Sequence, residues 1–170
     1  PVEQSNFTGS KYALIIGINY YFHKYSQQSN INSAHTFRTL VTTQYGYPES
    51  NVTLLSDDQS DPHAKPTKAN IINSIRKLVK GLRPNDSVFF YFCGFSRLPV
   101  QLTTEKSKVL GDIRRICGDY ILPSDFEREG AIESSYLHRK FVRQLPKSTR
   151  LTAVMNCPLG DTGFEVPYKY

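Results

Sequence analysis

Two stretches of this chain are apolar almost without interruption: Lys11-Tyr-Ala-Leu-Ile-Ile-Gly-Ile18 and Ser87-Val-Phe-Phe-Tyr-Phe-Cys93. A strand with one wet face alternates apolar and polar residues, so unbroken runs rich in β-branched and aromatic residues call for cover on both faces, as in a parallel sheet. Two shorter strands, Asn51–Ser56 and Arg150–Met155, carry weaker versions of the signal. The run at 11–18 is expected at the centre of the sheet.

Between the strands the period changes from two to 3.6. Asn32 to Tyr45 places Phe37, Leu40 and Val41 on one helical face and ends at Gly46 and Pro48, both stop signals. Thr67 is a natural N-cap for a second helix, with Ile71, Ile72, Ile75, Leu78, Val79 and Leu82 forming one stripe. Ser134 to Gln144, with Leu137 and Phe141 leading to Leu145, predicts a third helix. Asp119–Pro123 reads as a short extended piece limited to an edge or end by its proline. Arg97–Arg115 and Asn156–Tyr170 lack periodicity and read as loops. Strands alternating with helices imply right-handed crossovers, hence an α/β three-layer sandwich around a central, mostly parallel sheet. In such sheets the chemistry lies beyond the carboxyl ends of the strands, here the loops after Ile18, Ser56, Cys93 and Met155.

Length and composition narrow the class. One hundred and seventy residues against about 150 per domain predict one domain over 1–170, large enough to fold without disulfides or a structural metal. Three cysteines, Cys93, Cys117 and Cys157, are odd in number and irregularly spaced, which excludes a disulfide scaffold and a paired-cysteine zinc site and favours an intracellular compartment, cytoplasmic or nuclear. No apolar run approaches the roughly 20 residues of a bilayer span, so no membrane partner is expected. The balance of 21 Lys and Arg against 15 Asp and Glu gives +6, a weak bias toward acidic partners. The chain opens on Pro1 and its one methionine is Met155, which leads us to expect a piece of a longer protein.

The chain resembles the metacaspases, relatives of the caspases with a caspase-hemoglobinase fold. The resemblance runs through Tyr12-Ala-Leu-Ile-Ile-Gly-Ile-Asn-Tyr20, Tyr45-Gly-Tyr-Pro48, Asn51-Val-Thr-Leu-Leu-Ser-Asp-Asp58, Pro66-Thr67 with Asn70-Ile71, Asp86-Ser-Val-Phe-Phe-Tyr91, Ile121-Leu-Pro-Ser-Asp125 with Gly130-Ala-Ile132, Leu145-Pro146, Leu151-Thr-Ala153 and Pro167-Tyr-Lys-Tyr170. It implies a large-subunit-like portion that the family continues with further strands. It also implies a Cys-His dyad, in which an imidazole takes the thiol proton and the thiolate attacks a peptide carbonyl.

The expected residues are not at the implied positions. The family's Ser-Gly-His-Gly segment reads Cys93-Gly94-Phe95-Ser96, which puts Phe95 in place of the base. The nucleophile segment falls on Asn156-Cys157-Pro158-Leu159-Gly160, with Pro158 in place of the nucleophile. The specificity pocket, acidic in the family, maps to Ser33, Cys93 and Asn156, none of which carries a carboxylate. The calcium-binding positions map to Gly118, Ser134, Ser135 and Glu165, and a single carboxylate supplies too few of the oxygens calcium requires. Dyad, specificity acids and metal ligands are all missing while strands and helix stripes are intact. That pattern leads us to expect a catalytically inactive scaffold or regulator that binds protein, uses no cofactor and has a sheet edge open to a partner.

Two other readings remain. A divergent cysteine peptidase would use Cys157 or Cys93, although Cys157 stands one residue early, which turns it to the opposite face of an extended strand end. A nucleic-acid- or chromatin-associated module would use Arg76, Lys77, Lys80 and Arg83 with Arg139, Lys140, Arg143, Lys147 and Arg150, residues that equally suit the wet faces of amphipathic helices. Cys93 and Cys157, at the ends of adjacent strands, are a conceivable redox pair. His23, His35, His63 and His138 show no metal-ligand spacing, and His63 is the least implausible substitute base. Tyr20, Tyr21 and Phe22 are expected to line the cleft.

Overall fold

The computed structural model describes residues 4–21, 23, 26–96 and 120–157. Four strands, β1 (Lys11–Gly17), β2 (Val52–Ser56), β3 (Ser87–Cys93) and β6 (Arg150–Asn156), form one sheet in the order β2-β1-β3-β6, every pair parallel. The run expected at the centre is there, hydrogen-bonded on both sides. Helices α1 (Asn30–Thr43) and α2 (Lys68–Gly81) supply the crossovers.

Side-chain alternation divides the core between two faces. Leu14 and Ile16 of β1 join Val88, Phe90 and Phe92 of β3 under Ile71 and Ile75 of α2. Ala13 and Ile15 join Phe89, Tyr91 and Cys93 under Ala34 and Val41 of α1. Phe90, Tyr91 and Phe92 are all fully buried. Three consecutive large side chains without exposure require both faces to be covered, which is what their lack of alternation predicted, and each contributes about 1.5–3 kcal/mol of transfer free energy. Gly17 lets α1 come down on the end of β1, because a Cβ there would stand 2.6 Å from that of Ala34.

The remaining boundaries differ from the sequence reading for local reasons. Helix α1 begins at Asn30 rather than Asn32, since the Asn30 amide donates to the Ile18 carbonyl at 2.7 Å and Asn19 accepts the Ile31 N–H at 3.1 Å. The single helix expected over 134–144 is α4 (Ser134–Lys140) followed by a 3-10 turn (Val142–Gln144), broken at Phe141, whose ring is buried against Phe90. The piece at 119–123 is part of a second, two-stranded sheet: β4 (Tyr120–Ile121) pairs antiparallel with β5 (Ile132–Glu133) around a one-turn helix, α3 (Phe126–Glu129). Asn156 is the last residue of β6, not the first of a loop. The loop expected over 97–115 lies outside the described residues.

Strand β6 is unlike the others. Among the described residues it has one neighbouring strand, none of its residues is fully buried, and Arg150, Thr152, Ala153 and Asn156 are exposed. Among the described residues no helix is long and apolar enough to cross a membrane.

Candidate functional site at the carboxyl ends of the strands

The parallel register aligns Gly17 with Ser56 and with Cys93, and Cys93 with Asn156, so the four strand ends form one row. The loops that leave this row meet over Tyr20. The carboxylate of Asp57, first residue after β2, accepts the N–H groups of Asn19 and Tyr20, both at 2.8 Å, and Tyr20 is held in the left-handed region at φ 55°. Burial raises the pKa of Asp57, and the two N–H groups oppose that shift.

The Tyr20 ring projects under the loop after β3. It stacks on Phe95 with centroids 4.5 Å apart and planes 19° from parallel, and it meets Phe126 edge-on at 6.0 Å. Its hydroxyl accepts the Phe95 N–H and donates to the Leu122 carbonyl, each at 2.8 Å, while the Leu122 N–H donates to the Phe95 carbonyl at 3.0 Å. Tyr20 and Phe95 are buried, and burial pushes the Tyr20 hydroxyl well above its ordinary pKa. Gly94 is required for this closure, because a Cβ there would lie 2.8 Å from the Tyr20 oxygen. Tyr20 and Tyr21, both expected to line a cleft, line a small cavity of about 70 Å³ with His23, Asp57 and Phe126, and the Tyr20 ring also fills the space beside Phe95; Phe22 lies outside the described residues.

The residues mapped to the specificity pocket are brought together. The Cys93 thiol donates to the Asn30 side-chain oxygen at 3.2 Å, and the Asn156 amide donates to the Tyr91 hydroxyl at 3.3 Å. The Ser33 hydroxyl lies close enough to Tyr91 to act on its titration. Burial pushes the Tyr91 hydroxyl up to about 12, and the Asn156 bond works against it. The cluster is therefore neutral and bonded to itself. Asn30 and Tyr91 were not singled out in the sequence. The available signals were the position of Asn30 one helical turn before Ser33 and the alternation that sends Tyr91 to the α1 face.

The two thiols do not form a redox pair. Both are free; Cys93 packs with the α1-face residues and Cys157 with the α2-face residues, on opposite sides of the sheet. Burial raises the pKa of Cys93 and pushes that of Cys157 up to about 12, the Ser96 hydroxyl and Gly94 backbone beside Cys157 opposing without reversing the shift. No imidazole is among the groups acting on either thiol. His23 pairs with Glu127 at 2.9 Å and His35 with Asp58 at 2.9 Å. His63 faces a separate cavity with Asp61 and Lys77, beside β2 and α2. Arg76, Lys77 and Lys80 of α2 and Arg139 and Lys140 of α4 are exposed, and His138 is half-buried.

Of the positions mapped to calcium, Gly118 and Glu165 lie outside the described residues, as does Pro158. Ser134 is buried and the Ser135 hydroxyl donates to the Glu133 carboxylate at 3.0 Å. These two neutral hydroxyls do not fit the ion, which binds through several charged or carbonyl oxygens. No group of three or more His, Cys, Asp or Glu suited to a metal occurs among the described residues.

The model of the metacaspase, peptidase C14 domain matches residues 11–167. The chain belongs to the metacaspase family. It is 35% identical over 163 residues to Metacaspase-1A of Aspergillus oryzae, covering 96% of this chain and 37% of that protein. It is 35% identical over 170 residues to Metacaspase-1 of Saccharomyces cerevisiae, covering all of this chain and 38% of that one. The metacaspase chain thus spans little more than a third of these relatives. Among solved structures, protein GSU0716 from Geobacter sulfurreducens superposes with a TM-score of 0.61 over 86% of this chain and 50% of its own, at 16% identity, a likeness of fold. The central parallel sheet flanked by helices is accordingly the caspase-hemoglobinase-like α/β fold.

Proposed function

We propose that this metacaspase domain does not cleave peptides and acts inside the cell, in the cytoplasm or nucleus, as a scaffold or regulator that binds protein. The observation that carries the reading is the Tyr20–Phe95 stack. On the resemblance Phe95 stands where the family has its base, and its ring, which can neither take up a proton nor steady a thiolate, is buried against Tyr20, whose hydroxyl bonds the Phe95 N–H and the Leu122 carbonyl. Three features support it. Burial raises the pKa of the nearby thiols, which depletes the nucleophilic thiolate. The specificity cluster has no carboxylate to pair with a Lys or Arg side chain, and its polar atoms bond one another. Among the described residues β6 has no neighbour on its outer side, an edge that a partner strand can extend.

The test is hydrolysis of peptides ending in Arg or Lys, with a fluorogenic leaving group, with and without calcium. Release at the buffer rate is expected. Turnover that Cys157→Ala or Cys93→Ala abolishes would establish a divergent peptidase and overturn the reading. The double substitution Phe95→His with Pro158→Cys is expected to do more than either change alone, because base and nucleophile act as a unit.

A further inference from the structure

A second aromatic group lies at the opposite end of the sheet, and it is open. Between the start of β3, the start of β6 and the second half of α1 runs a groove of about 530 Å³. Phe37 and Phe89 form its floor, stacked at 5.9 Å, with Tyr47 edge-on to Phe89 at 6.4 Å. Of the four large apolar side chains exposed among the described residues, Phe7, Leu40 and Tyr45 stand on this groove, with Phe7 58% and Tyr45 59% exposed. Exposed apolar side chains scattered singly need no explanation, but their concentration on one concave surface does.

The rim is cationic. Lys11 donates to the Tyr45 carbonyl at 2.6 Å and lies 5.8 Å from the Tyr47 ring centre; the Arg150 guanidinium lies 4.9 Å from that of Phe7. Neither cation pairs with a carboxylate among the described residues, and no Asp or Glu lines the groove. Asp86, on the turn before β3, has its oxygens taken by the N–H groups of Ser10 at 2.7 Å and Arg83 at 2.8 Å.

The backbone beside the groove is strained. Phe7 is held at φ 59°, a region costly for an aromatic residue. The segment is fastened on either side, the Asn6 and Gly9 N–H groups donating to Asn85 at 3.2 Å each. In this conformation the Phe7 ring lies over the Arg150 guanidinium at the mouth of the groove.

We propose that this groove docks an acidic segment of a partner protein, seating a Phe, Leu or Trp anchor on Phe37 and Phe89 while flanking carboxylates pair with Lys11 and Arg150. The occupant is acidic because, among the described residues, the rim offers two cations without a carboxylate partner and no competing carboxylate, and it carries an apolar anchor because the floor is aromatic. The proposal rests on the protein-binding reading in giving it a place and a partner chemistry. The two fail separately, because peptidase turnover would leave the groove untouched and a dead groove would leave the inactive dyad untouched.

The test is selection of a phage-displayed random 12-residue peptide library on the full chain, followed by fluorescence anisotropy of the enriched peptides. Enriched sequences are expected to be net negative with at least one Phe, Leu or Trp. Their affinity should fall at least tenfold in Arg150→Glu, severalfold in Phe7→Ala, and severalfold as NaCl rises from about 50 to 300 mM. Both substitutions are at exposed side chains, and unchanged melting temperatures separate lost binding from lost folding. Neutral or basic winners, or winners indifferent to both variants, would overturn the proposal. So would sedimentation showing that a second copy of the chain fills the groove, or protection of its residues by the remainder of a longer parent polypeptide.

Discussion

The two ends of β3 carry aromatic clusters of similar composition and opposite character. At the carboxyl end Tyr20, Phe95 and Phe126 are buried and the one hydroxyl among them makes two hydrogen bonds. At the amino end Phe7 and Tyr45 stand in solvent above Phe37 and Phe89. Aromatic content therefore does not distinguish core from surface. What distinguishes them is whether a covering element with matched polar groups is present. The segment around Leu122 closes the first cluster, and nothing among the described residues closes the second.

The largest effect that would break this contrast is on stability. Phe95→Ala empties a packed site and should cost about 3–5 kcal/mol, whereas Tyr45→Ala should stay within about 0.5 kcal/mol. Urea unfolding of both variants decides it, and comparable midpoint shifts would mean that the two clusters are not different in kind. Close behind comes thiol chemistry. With its pKa pushed up to about 12 from 9.0, Cys157 holds roughly a thousandfold less thiolate below pH 9 than a free thiol. Iodoacetamide labelling at pH 8, read on the Cys157 peptide by mass spectrometry, should be slower in the native protein than in urea by two orders of magnitude or more. Rapid native labelling would open the carboxyl end and revive the peptidase reading. A smaller change follows from one oxygen: Tyr20→Phe keeps the stack but strands the Phe95 N–H and the Leu122 carbonyl, at about 1–3 kcal/mol for the buried groups.

The same contrast explains what the sequence disclosed. Strand runs such as Ser87–Cys93 were legible because an uninterrupted apolar stretch has few solutions, and the four parallel strands follow from it. That Phe95 closes the loop at the carboxyl end could be anticipated in part, because it lies two residues past that strand. The role of Tyr20 was not legible: its partners, Asp57, Phe95 and Leu122, are 37, 75 and 102 residues away, and no local period encodes such contacts. The β4–β5 pair escaped notice for the opposite reason, since two residues per strand are too few to show alternation. The groove was invisible because its residues come from the amino-terminal segment, α1, β3 and β6, which are far apart in the chain and whose sequence patterns give no sign that they meet.

The subtlest probe concerns pH and the closed end. The Asp57 carboxylate caps the Asn19 and Tyr20 N–H groups, yet burial raises its pKa above 3.8. A carboxyl group whose folded value exceeds its unfolded value keeps its proton longer in the folded state. It therefore contributes stability that is fully present below the unfolded value and is lost as pH rises through the folded one. Asp57→Asn removes the titration while leaving an oxygen to accept the two N–H bonds. The wild-type protein should accordingly lose stability relative to the variant between about pH 4 and neutrality, a difference read from urea midpoints at the two ends of that window. The opposite slope would mean that the two N–H bonds outweigh burial. Asp57 would then be a net electrostatic anchor for the Tyr20 turn, and the closed end would be weakest in acid rather than at neutral pH.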